Sequence, residues 1–201
     1  MGLKILGING SLTSPPSRTR VVLDVALAGA RAYDSSVETD VLELRDFNLD
    51  FCDGRPYDSY NADTQRALAM VEAADAYLVA TPVYRASYTG ALKNFFDLVP
   101  NDPNGRDPLR GKVVGLLATA GSDHHYLVLE HELRPLFGFF GAHTLARTIY
   151  GSSKDFNVQK QAEGKLVEEL TQLGQEVVIL SQLLKERPDN FQPAHLRIRR
   201  D

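Results

Sequence analysis

The stretch that decides the fold is Leu3-Lys4-Ile5-Leu6-Gly7-Ile8-Asn9, followed by a turn-rich segment over residues 10–16. An almost continuous apolar run of this length predicts a strand that is buried on both faces, as in a parallel sheet. Ser17 has the right side chain for the N-cap of an amphipathic helix that runs to about Arg31. A buried strand, a polar loop and a helix in this order predict the first unit of an α/β domain.

The same alternation continues along the chain. Four more strands are predicted at 38–44, 76–80, 112–119 and 143–149, and the later helices at 61–74, 90–98, 125–140 and 158–185. Gly141 stands where a helix C-cap glycine belongs. Five strands alternating with five helices predict a parallel sheet covered on both faces. The pattern leaves two architectures open, a five-stranded flavodoxin-like sheet and a truncated Rossmann domain. One domain over residues 1–186 and a C-terminal tail or arm over residues 187–201 are expected.

Composition narrows the classes of function. The chain has 201 residues, 43% of them hydrophobic, and a net charge of -4, which gives no basic excess for nucleic acid. A local cluster, Arg197, Arg199 and Arg200, is interpreted as part of a solvated tail. Cys52 is the only cysteine, so the chain forms no intramolecular disulfide and no thiolate zinc cluster. No signal peptide and no membrane-spanning run are recognised, so a cytoplasmic location without membrane partners is expected.

Ligands of parallel α/β sheets bind outside the carboxyl ends of the strands, which selects three loops. The first loop, residues 10–19, combines one guanidinium with several hydroxyls ahead of a helix N-terminus, where backbone amides and the helix dipole favour an anion. These side chains are Ser11, Thr13, Ser14, Ser17, Arg18 and Thr19. The loop lacks the Gly-x-Gly-x-x-Gly and Walker motifs, so a terminal monophosphate fits better than a pyrophosphate. An ordinary polar turn with a serine cap is the competing interpretation.

The second loop, residues 81–90, mixes aromatic, hydroxyl and small side chains. Tyr84 and Tyr88 are candidates for the flat wall that a planar heterocycle needs, and the amides of residues 83–87 are candidates for hydrogen bonds along its edge. A tyrosine-rich surface loop is the alternative.

The third loop, residues 118–125, carries small side chains that leave room for a ligand. His124 and His125 invite a metal hypothesis, but adjacent residues do not generally point the same way and no ligand spacing completes a site. His125 facing the pocket is the better functional hypothesis.

Three motifs, in this order, carry a resemblance to a known family. They are Gly10-Ser11 with Ser17-Arg18-Thr19, then Thr81-Pro82-Val83-Tyr84-Arg85-Ala86-Ser87-Tyr88-Thr89-Gly90-Ala91-Leu92-Lys93-Asn94-Phe95-Phe96-Asp97, then Leu117-Ala118-Thr119-Ala120-Gly121-Ser122. With these motifs the chain resembles the NAD(P)H-dependent FMN reductases over residues 3–150, and most closely those paired with alkanesulfonate or methanesulfonate monooxygenases. The resemblance implies a flavodoxin-like three-layer sandwich with strand order 2-1-3-4-5.

The resemblance also implies a site and a reaction. The FMN phosphate is expected at the first loop, the isoalloxazine at the second, and closure of the site at the third. The implied residues are Ser11, Ser17, Arg18 and Thr19, then Pro82, Val83, Tyr84 and Ser87, then Thr119, Gly121 and Ser122. Hydride passes from the nicotinamide of NAD(P)H to flavin N5, so the flavin does the redox chemistry and no acid–base residue is named. In the subgroup, the helix after His124 lies at a subunit interface of a homodimer or homotetramer and carries a π-bulge near His131.

Several functions remain open on the residues alone. The first is a reductase that exports reduced FMN to a two-component monooxygenase. The second is a quinone or azo-dye reductase that holds FMN tightly. A flavodoxin-type electron carrier is less favoured because the charge of -4 is mild. A non-catalytic interaction domain of the same fold is disfavoured because three separate loops agree.

Overall fold

The computed structural model describes residues 2–102 and 105–186, and in this part of the chain five strands form one parallel sheet. The strands are β1 (Lys4–Asn9), β2 (Glu38–Glu43), β3 (Ala76–Pro82), β4 (Val113–Thr119) and β5 (His143–Gly151). Their order is β2-β1-β3-β4-β5, and every neighbouring pair is parallel. This order confirms the flavodoxin-like prediction. It excludes the Rossmann alternative, whose strand order contains 3-2-1-4.

Helices cover both faces of the sheet. They are α1 (Arg18–Tyr33), α2 (Ala62–Ala73), α3 (Gly90–Leu98), α4 (Arg134–Phe139) and α5 (Lys165–Lys185). Side chains of α1 and α5 form one apolar core with the sheet, and those of α2, α3 and α4 form the other. Every residue of β3 and β4 is buried, as the continuous apolar runs predicted. The result is the expected three-layer sandwich.

Side-chain caps fix where three of the helices begin. Ser17 accepts a hydrogen bond from the amide of Arg20, and Asn61 accepts one from the amide of Thr64. Thr89 caps α3 in the same way. Each cap satisfies an amide that has no partner within its own helix. The Ser17 and Asn61 caps confirm the predicted starts of α1 and α2.

Helices α1 and α5 touch through their backbones. A Cβ added at Gly174 would lie 1.9 Å from the Ala26 carbonyl oxygen, and one added at Gly29 would lie 2.7 Å from the Thr171 Cα. No side chain fits between the helices at these two points. The contact therefore fixes the C-terminal half of α1 against α5.

Two predicted helices differ from the structure. The last helix begins at Lys165 rather than near Val158, because Lys160 (φ 62°) and Gly164 (φ 55°) adopt left-handed backbone that a helix does not permit. Residues 125–140 are not one helix either. A 3-10 turn at Asp123–His125 is followed by a π-helical turn at Leu129–Leu133 and then by α4. The π-helical turn contains His131, as the resemblance implied.

The predicted tail 187–201, with Arg197, Arg199 and Arg200, lies outside the described residues. None of the helices that the structure describes has an apolar stretch long enough to cross a membrane.

Candidate functional site

Three loops meet at the carboxyl edge of the sheet, as the topology requires, and side-chain hydrogen bonds join them. The Thr89 hydroxyl donates to the Gly10 carbonyl oxygen at 2.8 Å, which joins the loops after β3 and β1. Thr19 Oγ1 and Thr119 Oγ1 lie 2.8 Å apart and join α1 to the end of β4. These bonds hold the three loops around one space.

That space is a cleft of about 320 Å³, within the size range of small-molecule sites. It is lined by Ser11, Thr13, Pro16, Ser17, Arg18, Thr19, Pro82, Val83, Tyr84, Thr119, Ala120, Gly121 and Lys160. The structure therefore brings together nine of the eleven residues that the resemblance implied. Ser87 and Ser122 are not among the lining residues.

The charged residues that line the cleft favour an anion. Its lining residues include the cations Arg18 and Lys160 and no Asp or Glu. Arg18 Nε is buried and has no hydrogen-bond partner among the described residues, and the guanidinium carbon lies 5.4 Å from the centroid of the Phe156 ring. A buried guanidinium donor without a partner is expensive unless a ligand accepts from it. A phosphate oxygen fits this donor.

The N-terminus of α1 adds donors to the same end of the cleft. Ser17 caps the amide of Arg20, but the amides of Arg18 and Thr19 donate to no group in the described part of the chain. Free amides at the first turn of a sixteen-residue helix attract negative charge. With the hydroxyls of Ser11 and Ser17, this donor set matches the oxygens of a phosphate.

A buried carboxylate holds the first loop in shape. Glu43, at the end of β2, accepts a hydrogen bond from Asn9 Nδ2 at 2.8 Å and pairs with the Arg20 guanidinium. Asn9 Oδ1 in turn accepts from the Ser11 amide at 3.1 Å. Arg45, whose Nε lies 3.7 Å from Glu43, donates to the Thr13 carbonyl oxygen at 3.2 Å. Glu43 thus fixes the first loop through two independent connections.

Removing the Glu43 charge tests this support. We expect Glu43→Gln to lower the free energy of unfolding by about 1–3 kcal/mol, because Gln fills the space but removes the buried counter-ion of Arg20, which keeps only its exposed pair with Asp24. FMN affinity falls severalfold with it, since the first loop loses its anchor. Urea denaturation and a flavin titration measure the two effects. Glu169→Gln is the control, since Glu169 pairs on the surface with Lys165 and its loss costs less than about 1 kcal/mol. If the two substitutions had equal effects on stability and FMN affinity, Glu43 would not position the first loop.

The second loop forms a tight two-residue turn. Tyr84 and Ser87 exchange backbone hydrogen bonds of 2.9 and 3.2 Å, and Arg85 (φ 53°) and Ala86 (φ 67°) between them are both left-handed. A turn with positive φ at both central positions normally takes Asn and Gly. Fewer of the predicted edge amides are available to a ligand, because those of Val83, Tyr84 and Ser87 already donate within the protein. The amides of Arg85 and Ala86 donate to no group in the portion described.

Apart from Thr119, the third loop contributes space rather than polar side chains to the cleft. A Cβ added at Gly121 would meet nothing within 4 Å, and Gly121 lines the cleft. The Ser122 carbonyl oxygen accepts a hydrogen bond from the Tyr150 hydroxyl, whose pKa is raised by burial. His125 is not a lining residue, so the structure does not support its predicted role. No group of three or more His, Cys, Asp or Glu side chains within residues 2–102 and 105–186 is arranged to hold a metal.

The sequence interpretation missed one element of the cleft altogether. Thr13, Pro16 and Ala120 belong to the first and third loops, which the sequence predicts as parts of the site. Lys160 reaches the cleft from the segment between β5 and α5. The sequence predicts a helix from about Val158, which includes residues 158–164 of this segment. Val158 is the misleading apolar residue, since 91% of its surface is exposed.

Three other clefts in the described part of the chain are larger, and none lies at the carboxyl edge of the sheet. The smallest of the three, about 360 Å³, is lined by Glu72, Arg106, Asp107 and Pro108. The remaining two have about 500 Å³ each. One is lined by Lys4 and Glu38 at the amino ends of β1 and β2. The other lies between the outer sides of α3 and α4, against Phe96 and Phe139. Volume alone therefore does not locate the site, whereas topology and donor chemistry agree on the smaller cleft.

The sheet order and a cation-lined cleft at the carboxyl edge of the sheet define a flavodoxin-like protein. The family model for NADPH-dependent FMN reductase matches residues 3–157, and the chain belongs to this family. It is therefore an oxidoreductase that uses FMN and NAD(P)H.

Relatives and solved structures agree with this assignment. The chain is 37% identical to an NAD(P)H-dependent FAD/FMN reductase of Geobacillus thermodenitrificans over 91% of this chain and 96% of that protein. It is 41% identical to an FMN reductase (NADPH) of Pseudomonas aeruginosa over 77% and 79% of the two chains. The crystal structure of the apo form of NADH:FMN oxidoreductase (EMOB) is similar, with a TM-score of 0.74, 28% identity and 97% of each chain covered.

Proposed function

We propose that FMN is bound in the 320 Å³ cleft with its phosphate at the N-terminus of α1. The observation that carries this assignment is the charge of the lining residues, which include two cations and no carboxylate. In this proposal the hydroxyls of Ser11 and Ser17 donate to the phosphate beside the Arg18 guanidinium, and Thr19, whose hydroxyl pairs with Thr119, donates through its backbone amide. A ligand without a phosphate would leave these donors unsatisfied.

The ring of the ligand is assigned to the other end of the cleft. Pro82, Val83 and Tyr84 form an apolar and aromatic wall there, and the free amides of Arg85 and Ala86 stand beside it. Thr119, Ala120 and Gly121 line the cleft next to this wall, since Thr119 pairs with Pro82 in the sheet and its carbonyl oxygen accepts from the Val83 amide. Ser87 acts only through its backbone in this proposal, because it closes the turn that orients those amides. Ser122 supports the third loop through its carbonyl oxygen.

The protein's contribution to the reaction is positioning. Bound FMN supplies the redox chemistry, accepting hydride from a nicotinamide. The phosphate donors fix one end of the ligand, and the wall of the second loop fixes the plane in which the nicotinamide must stack. Gly121 lines the cleft with open space beside it, and we assign the nicotinamide to this space.

We further propose that reduced FMN leaves this cleft for a two-component monooxygenase. Tyr84, the aromatic member of the wall, is 54% exposed, and so open a wall supports a site from which flavin dissociates readily. The family assignment favours this reaction over a quinone reductase or an electron carrier with tightly held flavin.

A cytoplasmic homodimer or homotetramer is proposed as the working form. Large apolar side chains of the segment that contains the π-helical turn and α4 are exposed: Tyr126 by 56%, Leu127 by 44% and Phe139 by 52%. Exposed aromatic side chains concentrated on one segment are typical of protein interfaces.

Anaerobic stopped-flow with NADH or NADPH and added FMN tests the proposed reaction. We expect rapid bleaching of FMN in excess over protein, and FMN that separates from the protein on gel filtration. Flavin that stays bound, with turnover only after a quinone or an azo dye is added, would overturn the export of reduced flavin. No flavin binding at all would overturn the assignment of the cleft.

A further inference from the structure

The segment between β5 and α5 closes the phosphate end of the cleft. Its residue Lys160 lines the cleft, and Lys160 Nζ donates a hydrogen bond of 2.9 Å to the Pro16 carbonyl oxygen. Pro16 immediately precedes the Ser17 cap of α1. The ammonium group therefore lies at the same end of the cleft as the Arg18 guanidinium and the free amides of α1.

The backbone of Lys160 is held in an unfavourable conformation. Its φ of 62° is left-handed, a region that residues other than Gly and Asn seldom adopt. Asn157 imposes it, since Asn157 Oδ1 accepts from the amides of Gln159 and Gln161 at 3.0 and 2.9 Å. The Lys160 amide donates to the Asn157 carbonyl oxygen at 2.9 Å. A glycine would relieve the strain, so the presence of lysine points to a role for its side chain.

The charge of the cleft matches one class of anion. An ammonium group has three N–H donors, and the Pro16 carbonyl oxygen uses one, which leaves two for a ligand. Lys160 and Arg18 together give two positive charges, and a phosphate monoester carries about -1.5 to -2 at neutral pH. The pyrophosphate of FAD also carries about two negative charges, but its adenosine half continues beyond the phosphates and must pass the Lys160–Pro16 bridge.

We propose that Lys160 is a phosphate-binding residue that makes the cleft selective for a terminal phosphate monoester. Resting on the proposed function, it favours FMN over both riboflavin, which has no phosphate, and FAD, whose first phosphate is extended by an adenylyl group. Residue 160 lies beyond the segment 3–157 that the family model matches, so the family assignment gives it no role.

Substitution of Lys160 tests the selectivity. We expect Lys160→Met to raise the Kd of FMN about 10- to 100-fold, the loss typical of a hydrogen bond to a charged group. The Kd of riboflavin changes less than about twofold, because riboflavin has no group for the ammonium to bind. The preference for FMN over FAD falls with the FMN affinity. Titration of each flavin, followed by its fluorescence, measures these constants. The matched control is Lys154→Met in the same segment, because Lys154 pairs with Asp123 and does not line the cleft.

A second variant separates binding from folding. Lys160→Gly removes the ammonium group but relieves the left-handed strain, so we expect weaker FMN binding with no loss of thermal stability. If Lys160 had only a structural role, Lys160→Gly would lower both the FMN affinity and the thermal stability. Unchanged FMN affinity in Lys160→Met, or equal losses for FMN and riboflavin, would overturn the proposal, as would the same loss in Lys154→Met. Failure of the proposed function is distinguishable, since the unaltered protein itself would then not bind FMN.

Discussion

Arg18→Ala is expected to raise the Kd of FMN about 100-fold, equivalent to ~3 kcal/mol, while the Kd of riboflavin changes less than about threefold. The reason is the buried Nε of Arg18, which has no partner among the described residues and sits with the free amides of α1. A bidentate bond from guanidinium to phosphate has no counterpart in riboflavin. Parallel fluorescence titrations of the two flavins measure the difference.

Two further variants make the result specific to the phosphate. Arg31→Ala removes a guanidinium from the same helix, where it donates to Thr39 on the surface, and is expected to leave FMN binding unchanged. Arg18→Lys keeps the charge but loses the planar pair of donors, so its FMN affinity falls between those of the unaltered protein and Arg18→Ala. If FMN and riboflavin weaken equally in Arg18→Ala, the residue acts on the ring or on the fold instead, and the phosphate assignment fails.

The fold was predictable because its central strands carry an unambiguous signal. The apolar runs of β3 and β4 can be buried only between two layers of helices, and the structure buries every residue of both strands. The start of α5 was not predictable in the same way. Lys160 carries no local signal for left-handed backbone, and only the Asn157 hydrogen bonds, formed within the folded segment, impose it.

The site was predictable where one loop contains its own chemistry. Ser17, Arg18 and Thr19 stand together in sequence ahead of a helix, so their polar character and position suffice. Glu43 and Lys160 reach the first loop from distant segments, through contacts with Asn9 and Pro16 that only the tertiary structure creates. Neither residue type is unusual where it stands in the sequence. Site residues of this kind are found by geometry.

The contact between α1 and α5 leads to the largest expected effect on stability. Gly174→Ala places a methyl group 1.9 Å from the Ala26 carbonyl oxygen and 2.8 Å from the Ala30 amide nitrogen, both backbone atoms that cannot rotate away. The helices must separate, and we expect the free energy of unfolding to fall by about 2–4 kcal/mol despite the better helix propensity of alanine. Urea denaturation measures it.

Gly90→Ala is the matched control, because it also places a methyl group on a helix, at the start of α3, where nothing lies within 4 Å. Its free energy of unfolding is expected to stay within about 1 kcal/mol of the original value. If Gly174→Ala left the free energy of unfolding unchanged, the two helices would tolerate separation. The effect reaches the site because α1 carries Arg18 at its other end, and Thr19 ties that end to Thr119 in β4. Since α1 cannot move away from α5 without moving or straining these donors, Gly174→Ala is also expected to weaken FMN binding.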